Sequence, residues 1–190
     1  MRNKKIRVLT SVGLLSTLSY LLMLLNFPIP PFPSFLMIDF SEIPALIAAI
    51  VFGPLAGITV EFIKNVLNFL AAGSPTGVPV GHIANFTAGV TFILPVYYVY
   101  KKFESKKGMT IALIAGTIVM AVMMSVLNYY VILPAYTLFL NAPAMTAPET
   151  KQLVVTAILP FNFIKGMAMA VVFFFIYSRI QVWMKKQSMA

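Results

Sequence analysis

Residues 109–136, MTIALIAGTIVMAVMMSVLNYYVILPAY, contain no charged side chain. At a helical rise of ~1.5 Å per residue such a run outreaches the ~30 Å hydrocarbon core of a bilayer. Residues 8–25, 78–100 and 153–178 form further apolar runs of spanning length. Hydrophobic residues make up 60% of the chain and charged residues only 10%, against ~25% charged in a typical soluble domain. The composition therefore specifies an all-α, polytopic membrane protein, a single transmembrane domain over residues 1–190. No soluble domain, internal repeat or low-complexity tract interrupts it.

Residues 43–72 read either as one long helix or as two short ones broken near Gly53-Pro54. Charge parity decides between them. The basic opening MRNKKIRVLT and the segment KKFESKK at 101–107 both have the character of cytoplasmic flanks, so an even number of spans separates them. That selects the break and six transmembrane helices, with expected spans at 8–25, 42–53, 55–72, 78–100, 109–136 and 153–178. Both termini are then cytoplasmic. Arg2, Lys4, Lys5, Arg7, Lys101, Lys102, Lys106, Lys107, Arg179, Lys185 and Lys186 lie inside, eleven of the fourteen basic residues. The first run has the basic start of a signal peptide, but it is long and no A-x-A-like cleavage site follows, so it reads as a retained helix. On the outer side lie NFPIPPFPSF at 26–35, AGSPTG at 72–77 and the segment 141–152. Prolines at 28, 30, 31 and 33 remove backbone donors and forbid a regular helix in the first of these.

Several chemistries are excluded. There is no cysteine, so no disulfide or thiolate metal site exists, and the single histidine, His82, rules out a multi-histidine metal centre. No GxxxxGK[ST], HExxH or GxSxG occurs, so the chain carries no P-loop, zinc-protease or nucleophile-elbow signature and is not read as an enzyme. The net charge of +9 does not indicate nucleic acid, because the basic residues cluster beside apolar runs as membrane flanks do.

Against this apolar background the intramembrane polar residues form a short set: Glu61, Lys64, Asn65, Asn68, His82, Asn85, Asn128, Asn162 and Lys165. An ionisable group at the bilayer centre costs at least ~2.5 kcal/mol, so each is expected to face protein or a wet cavity. Glu61, Lys64, Asn65 and Asn68 fall at i, i+3, i+4 and i+7 on one helix face. On the six-span arrangement, Asn65 and Asn68, His82 and Asn85, Asn128, and Asn162 with Lys165 come from four helices to one depth in the outer half. That convergence suggests a site opening outward. The simpler account of any single asparagine is helix–helix glue, worth ~0.6–2 kcal/mol. Glu61 and Lys64 lie deeper and read as a structural ion pair bracing helices. Asp39 and Glu42 flank Ser41 and read, on position alone, as helix-capping residues. In the first span, Gly13 and Thr17 form a small-xxx-small pair that permits close helix approach.

The basic N-terminus, the small-residue first helix and the proline-rich loop lead into FLMIDFSEIPALIAAIVFGPLAG. Together, and above all in DFSEIPAL…FGPLAG at 39–57, they resemble the riboflavin-specific substrate-binding (S) component of energy-coupling factor (ECF) vitamin transporters. The resemblance covers essentially the whole chain. It implies a subunit of the bacterial cytoplasmic membrane that binds riboflavin from outside as transported ligand and needs no cofactor. It implies as partners a transmembrane coupling subunit and two ATP-binding-cassette ATPases. The family's first helix carries an Ala-xxx-Ala docking surface, and Gly13 and Thr17 stand at the matching positions here. The ligand site it implies takes in Leu36, Met37, Asp39, Phe40, Asn65, Asn68, Gly81, His82, Asn85, Asn128, Asn162 and Lys165. Asn128 and Asn162 suit the uracil-like edge of a flavin, since an amide both donates and accepts. Lys165 suits a ring carbonyl or tail hydroxyl, while His82, Asn85 and the backbone at Gly81 suit the ribityl tail. Leu36, Met37 and Phe40 would cover the ring. Two other readings stand beside this one. An S component for thiamine or pantothenate is the first, with Glu61 or Glu42 as partner to the cation in the case of thiamine. A stand-alone secondary carrier, with Glu61 and Lys64 as coupling groups, is the second.

Overall fold

A computed structural model describes the backbone of residues 2–141 and 143–189 and the side chains of 5–141 and 143–184. The side chains of Arg2, Lys4, Lys185 and Lys186 lie outside the described residues. Helix α1 (Arg2–Leu24) leads into a loop holding two short strands, β1 (Phe27–Pro28) and β2 (Met37–Ile38). Helices α2 (Glu42–Phe52), α3 (Pro54–Ala72), α4 (Val80–Phe103) and α5 (Lys106–Leu127) follow. A π-helical turn, Asn128–Ile132, joins α5 to α6 (Leu133–Phe139), and α7 (Ala147–Leu153) passes through a second, Val154–Ile158, into α8 (Leu159–Met189).

The break between α2 and α3 follows from two residues. Gly53 has φ +102°, a conformation open to glycine, and its N–H closes α2 on the Ala49 carbonyl at 2.9 Å. Pro54, which has no N–H to leave unpaired, then opens α3. At the far end of α4, Glu104 turns the chain in a left-handed conformation (φ 39°), and the Ser105 hydroxyl accepts from the Gly108 N–H at 2.9 Å to cap α5. The shared end of α4 and α8 is marked by Tyr100 and Tyr177, whose buried hydroxyls lie 3.1 Å apart. Arg7, Lys101, Lys102, Lys106, Lys107 and Arg179 belong to this basic end, and the β1–β2 loop, α6 and α7 to the other.

Five stretches among the described residues are long and apolar enough to cross a membrane. α2 is not one of them: its 11 residues extend only about 16 Å, half of a ~30 Å hydrocarbon core. Its N-terminus therefore stops at mid-depth, beside Lys64 in the middle of α3, whose Nζ lies 2.6 Å from Ser41 Oγ. Buried residues Ile38, Asp39 and Ser41 continue the path toward the loop end. α2 is apolar on nearly every face, as a helix enclosed by others must be. Its alanines let α1, α3, α4 and α8 all pack against it. The main core gathers α2 with Phe92, Ile93, Met109, Met120, Met169, Phe173 and Tyr177 from α4, α5 and α8.

The proline-rich loop folds back on itself. Phe27 pairs with Ile38 and Pro28 with Met37, antiparallel, so the described residues hold one minimal strand pair that helical periodicity does not reveal. With Pro28 in the first strand and three more prolines between the two, the ladder goes no further. The loop is anchored across the opening by rings: Phe32 meets Phe161 edge-on at 5.6 Å, and Phe35 lies 6.3 Å from Tyr136.

Candidate functional site

Beneath that loop, toward the middle of the bundle, lies a cavity of about 210 Å³. Nine residues singled out from the sequence line it: Leu36, Met37, Asp39, Gly81, His82, Asn85, Asn128, Asn162 and Lys165. Asn128 and Asn162 are presented in the same way. Each Nδ2 donates to the carbonyl four residues back, Met124 and Ile158 respectively, at 2.8 Å. Asn128 begins the first π turn, and Ile158 ends the second. A π turn displaces one backbone hydrogen bond, and here the side-chain amide takes up a carbonyl beside the disruption. Each amide keeps its Oδ1 and one N–H for the cavity.

On the facing wall, His82 Nε2 lies 2.9 Å from Asn68 Oδ1, and its ring stands edge-on to Phe69 at 5.4 Å. Asn65 donates to the Glu61 carbonyl at 2.9 Å and to Asn85 Oδ1 at 3.3 Å. Asn65 and Asn68 therefore stand one layer behind the wall, holding Asn85 and His82, and do not line the cavity themselves. Phe40 does not line it either. It is half-buried and packs against the main core instead.

The cavity floor is ionic. Lys165 Nζ lies 3.2 Å from Asp39 Oδ2 and 3.0 Å from Glu42 Oε1. Lys64 Nζ lies 2.9 Å from Glu61 Oε2, 3.8 Å from Glu42 Oε1 and 2.6 Å from Ser41 Oγ. The Glu61–Lys64 pair is thus not isolated; through Glu42 it merges with the Asp39–Lys165 pair into one buried cluster. The helix-start role expected of Asp39 and Glu42 stands beside this ionic one: Asp39 Oδ1 accepts from the Ser41 N–H at 2.9 Å, and Glu42 lies in the first turn of α2. Ser41 makes no side-chain cap bond. Its hydroxyl accepts from Lys64 and donates to Asp39, while its carbonyl accepts from the Ser19 hydroxyl of α1. In apolar surroundings an ammonium needs acceptors more than a helix end needs a cap. Among the described residues, no group of three carboxylates, histidines or cysteines is arranged to hold a metal ion.

The rest of the lining includes Met23, Asn26, Phe35, Met124, Ile132, Tyr136 and Phe161. Part of this was legible: Met124, Asn128, Ile132 and Tyr136 recur every fourth residue, one face of a helix. Asn26 and Phe35 belong to the loop, where no periodicity points inward.

The family model "ECF transporter, substrate-specific component" matches residues 7–177. The riboflavin transporter FmnP of Bacillus subtilis (strain 168) is 50% identical over 98% of both chains. The riboflavin transporter RibU of Staphylococcus aureus (strain TCH60) is 42% identical over 94% of this chain and 92% of its own. A solved S component of a bacterial ECF transporter superposes with a TM-score of 0.81 at 39% identity, covering 95% of this chain and 99% of that one. A match across nearly the whole chain, in sequence and in fold, places this protein in the substrate-specific component family of ECF transporters, a family of membrane transport proteins and not of enzymes.

Proposed function

We propose that this chain is a riboflavin-binding subunit of an ATP-driven ECF importer, capturing the vitamin at the loop end, which faces outward, and docking on a coupling subunit through α1. The observation that carries the ligand assignment is the cavity's make-up. Two asparagine amides and one ammonium converge on a space walled by Leu36, Met37, Phe35, Tyr136 and Phe161. A flavin matches that division: an apolar ring edge, a uracil-like edge of alternating donors and acceptors, and a hydroxylated tail. Asn128 and Asn162 take the uracil-like edge, Lys165 a carbonyl or hydroxyl, and His82, Asn85 and the backbone at Gly81 the tail. A thiamine site fits less well, because a cation needs an unpaired carboxylate in the wall. Glu42 and Glu61 are fully buried outside the lining, and Asp39 is already paired with Lys165.

The α1 surface supports the docking assignment. Val12, Ser16, Ser19 and Met23 face inward, while Gly13, Leu14, Thr17, Leu18 and Leu21 are exposed. Nothing lies within 4 Å of where a Gly13 Cβ would project. The Thr17 hydroxyl is satisfied by the Gly13 carbonyl at 3.1 Å, so this face offers a flat, small and effectively apolar contact. The basic residues of the opposite end lie on the cytoplasmic side, where the ATPases would act.

The test is direct binding. Purified protein in detergent is expected to quench riboflavin fluorescence on titration, with Asn128→Ala and Lys165→Ala both weakening it. A preparation that neither carries flavin colour nor quenches added riboflavin overturns the ligand assignment. Parent-like binding by both variants overturns the placement of the site.

A further inference from the structure

Three of the chain's five acidic residues, Asp39, Glu42 and Glu61, meet two lysines, Lys64 and Lys165, in the middle of the bundle. All five side chains are at most 4% exposed. With every group ionised the cluster would hold three negative charges against two positive. No further charge reaches it from its surroundings among the described residues. From α1 come the buried hydroxyls of Ser16 and Ser19. From α4 come Gly89, packed on the Glu61 carboxyl, then Asn85, and one turn further out His82, which is bonded to Asn68. α2 adds only Glu42, the loop Asp39 and α8 Lys165.

An uncompensated charge enclosed by apolar helices is strongly disfavoured, so the cluster must take up one positive charge. The residues do not make a metal site, and two ammonium groups already among the carboxylates repel a further cation. A proton meets neither obstacle. Its place follows from the contacts. Asp39 accepts from the Ser41 N–H at 2.9 Å and from the Ser41 hydroxyl, and pairs with Lys165. Glu42 touches both ammonium groups and opens α2, where backbone N–H groups favour an anion. Glu42 and Glu61 each keep one oxygen, Oε2 and Oε1 respectively, with neither a hydrogen bond nor an ion pair. But Glu61 touches one ammonium where Glu42 touches two, and it lies within a helix, away from the free N–H groups of a helix start. We propose that Glu61 holds one proton in the resting protein at neutral pH, so that the five-group cluster is an electroneutral, proton-loaded site directly beneath the cavity. This goes beyond the ligand assignment and does not depend on it.

Infrared spectroscopy of the full chain in lipid nanodiscs, without ligand, tests the proposal. The expected result is a protonated carboxylic acid carbonyl band at neutral pH, shifted in D2O and absent from Glu61→Gln. The charge count adds a stricter requirement. Glu42→Gln removes one carboxylate, balances the remaining charges and must also abolish the band, although Glu61 is still present; Asp39→Asn serves the same purpose should Glu42→Gln fail to fold. No band in the parent, or a band that survives Glu61→Gln or the charge-balancing variant, overturns the proposal. Glu61→Gln mimics the protonated acid in size, so it is expected to fold and to keep parent-like thermal stability at neutral pH.

Discussion

Replacing Gly89 by alanine tests the packing around the ionic cluster through a single methyl group. Gly89 is buried on α4 facing α3, and a Cβ there would overlap Glu61 Oε2 and the carboxyl carbon and lie 3.0 Å from Oε1. The carboxyl group has little room to retreat, because Lys64 Nζ holds it at 2.9 Å from the other side. Inserting a methyl into such a site costs ~1–3 kcal/mol. At ~2–4 °C per kcal/mol for a chain of this size, Gly89→Ala should lower the unfolding midpoint by about 2–12 °C. Fluorescence-detected thermal unfolding in detergent reads the shift. The decisive comparison is a double-mutant cycle. In a Glu61→Ala background the overlapping atoms are gone, and Gly89→Ala should then have almost no effect. In a Glu61→Gln background the side chain is the same size, and the penalty should persist. An equal loss in the parent and in Glu61→Ala would show that the carboxyl contact is not the cause, and the packing argument would fail.

Lys64→Met removes the ammonium that Glu61, Glu42 and Ser41 share and should destabilise by ~3–5 kcal/mol, the cost of leaving a buried pair uncompensated, read as a large fall in the same thermal assay. Asn162→Ala removes an amide from the cavity while leaving the backbone of α8 intact. Riboflavin binding should weaken about 5- to 150-fold by fluorescence titration, the equivalent of ~1–3 kcal/mol for a lost buried hydrogen bond. Gly13→Leu places a bulky side chain on the open face of α1. The variant should fold and bind riboflavin like the parent but fail to co-purify with the coupling subunit, and normal co-purification would remove α1 from the docking surface.

Local chemistry alone accounts for much of this protein. Long charge-free runs can be satisfied only by membrane-spanning helices, because lipid offers backbone groups no partners. The Gly53-Pro54 break needs only one residue that tolerates positive φ and one that lacks an N–H. Asn128, Asn162, His82 and Lys165 stand out because polar groups are rare in such a background and must find company.

What the sequence by itself determined is therefore the class of fold, the break in it and the identity of most of the polar residues that line the cavity. Only the tertiary structure decided how they pair. Asp39 and Lys165 meet across 126 residues, and no periodicity relates a loop carboxylate to a lysine on the last helix. Asn65 and Asn68 share a face with Glu61 and Lys64, yet they hold Asn85 and His82 from behind, because the position of α4 set which side chains reached the cavity. The shortness of α2 brings Glu42 to mid-depth and turns an expected brace of two charges into a cluster of five. Helical spacing is a property of one segment. The balance of buried charge is a property of every segment that packs around it, and it exists only once they have met.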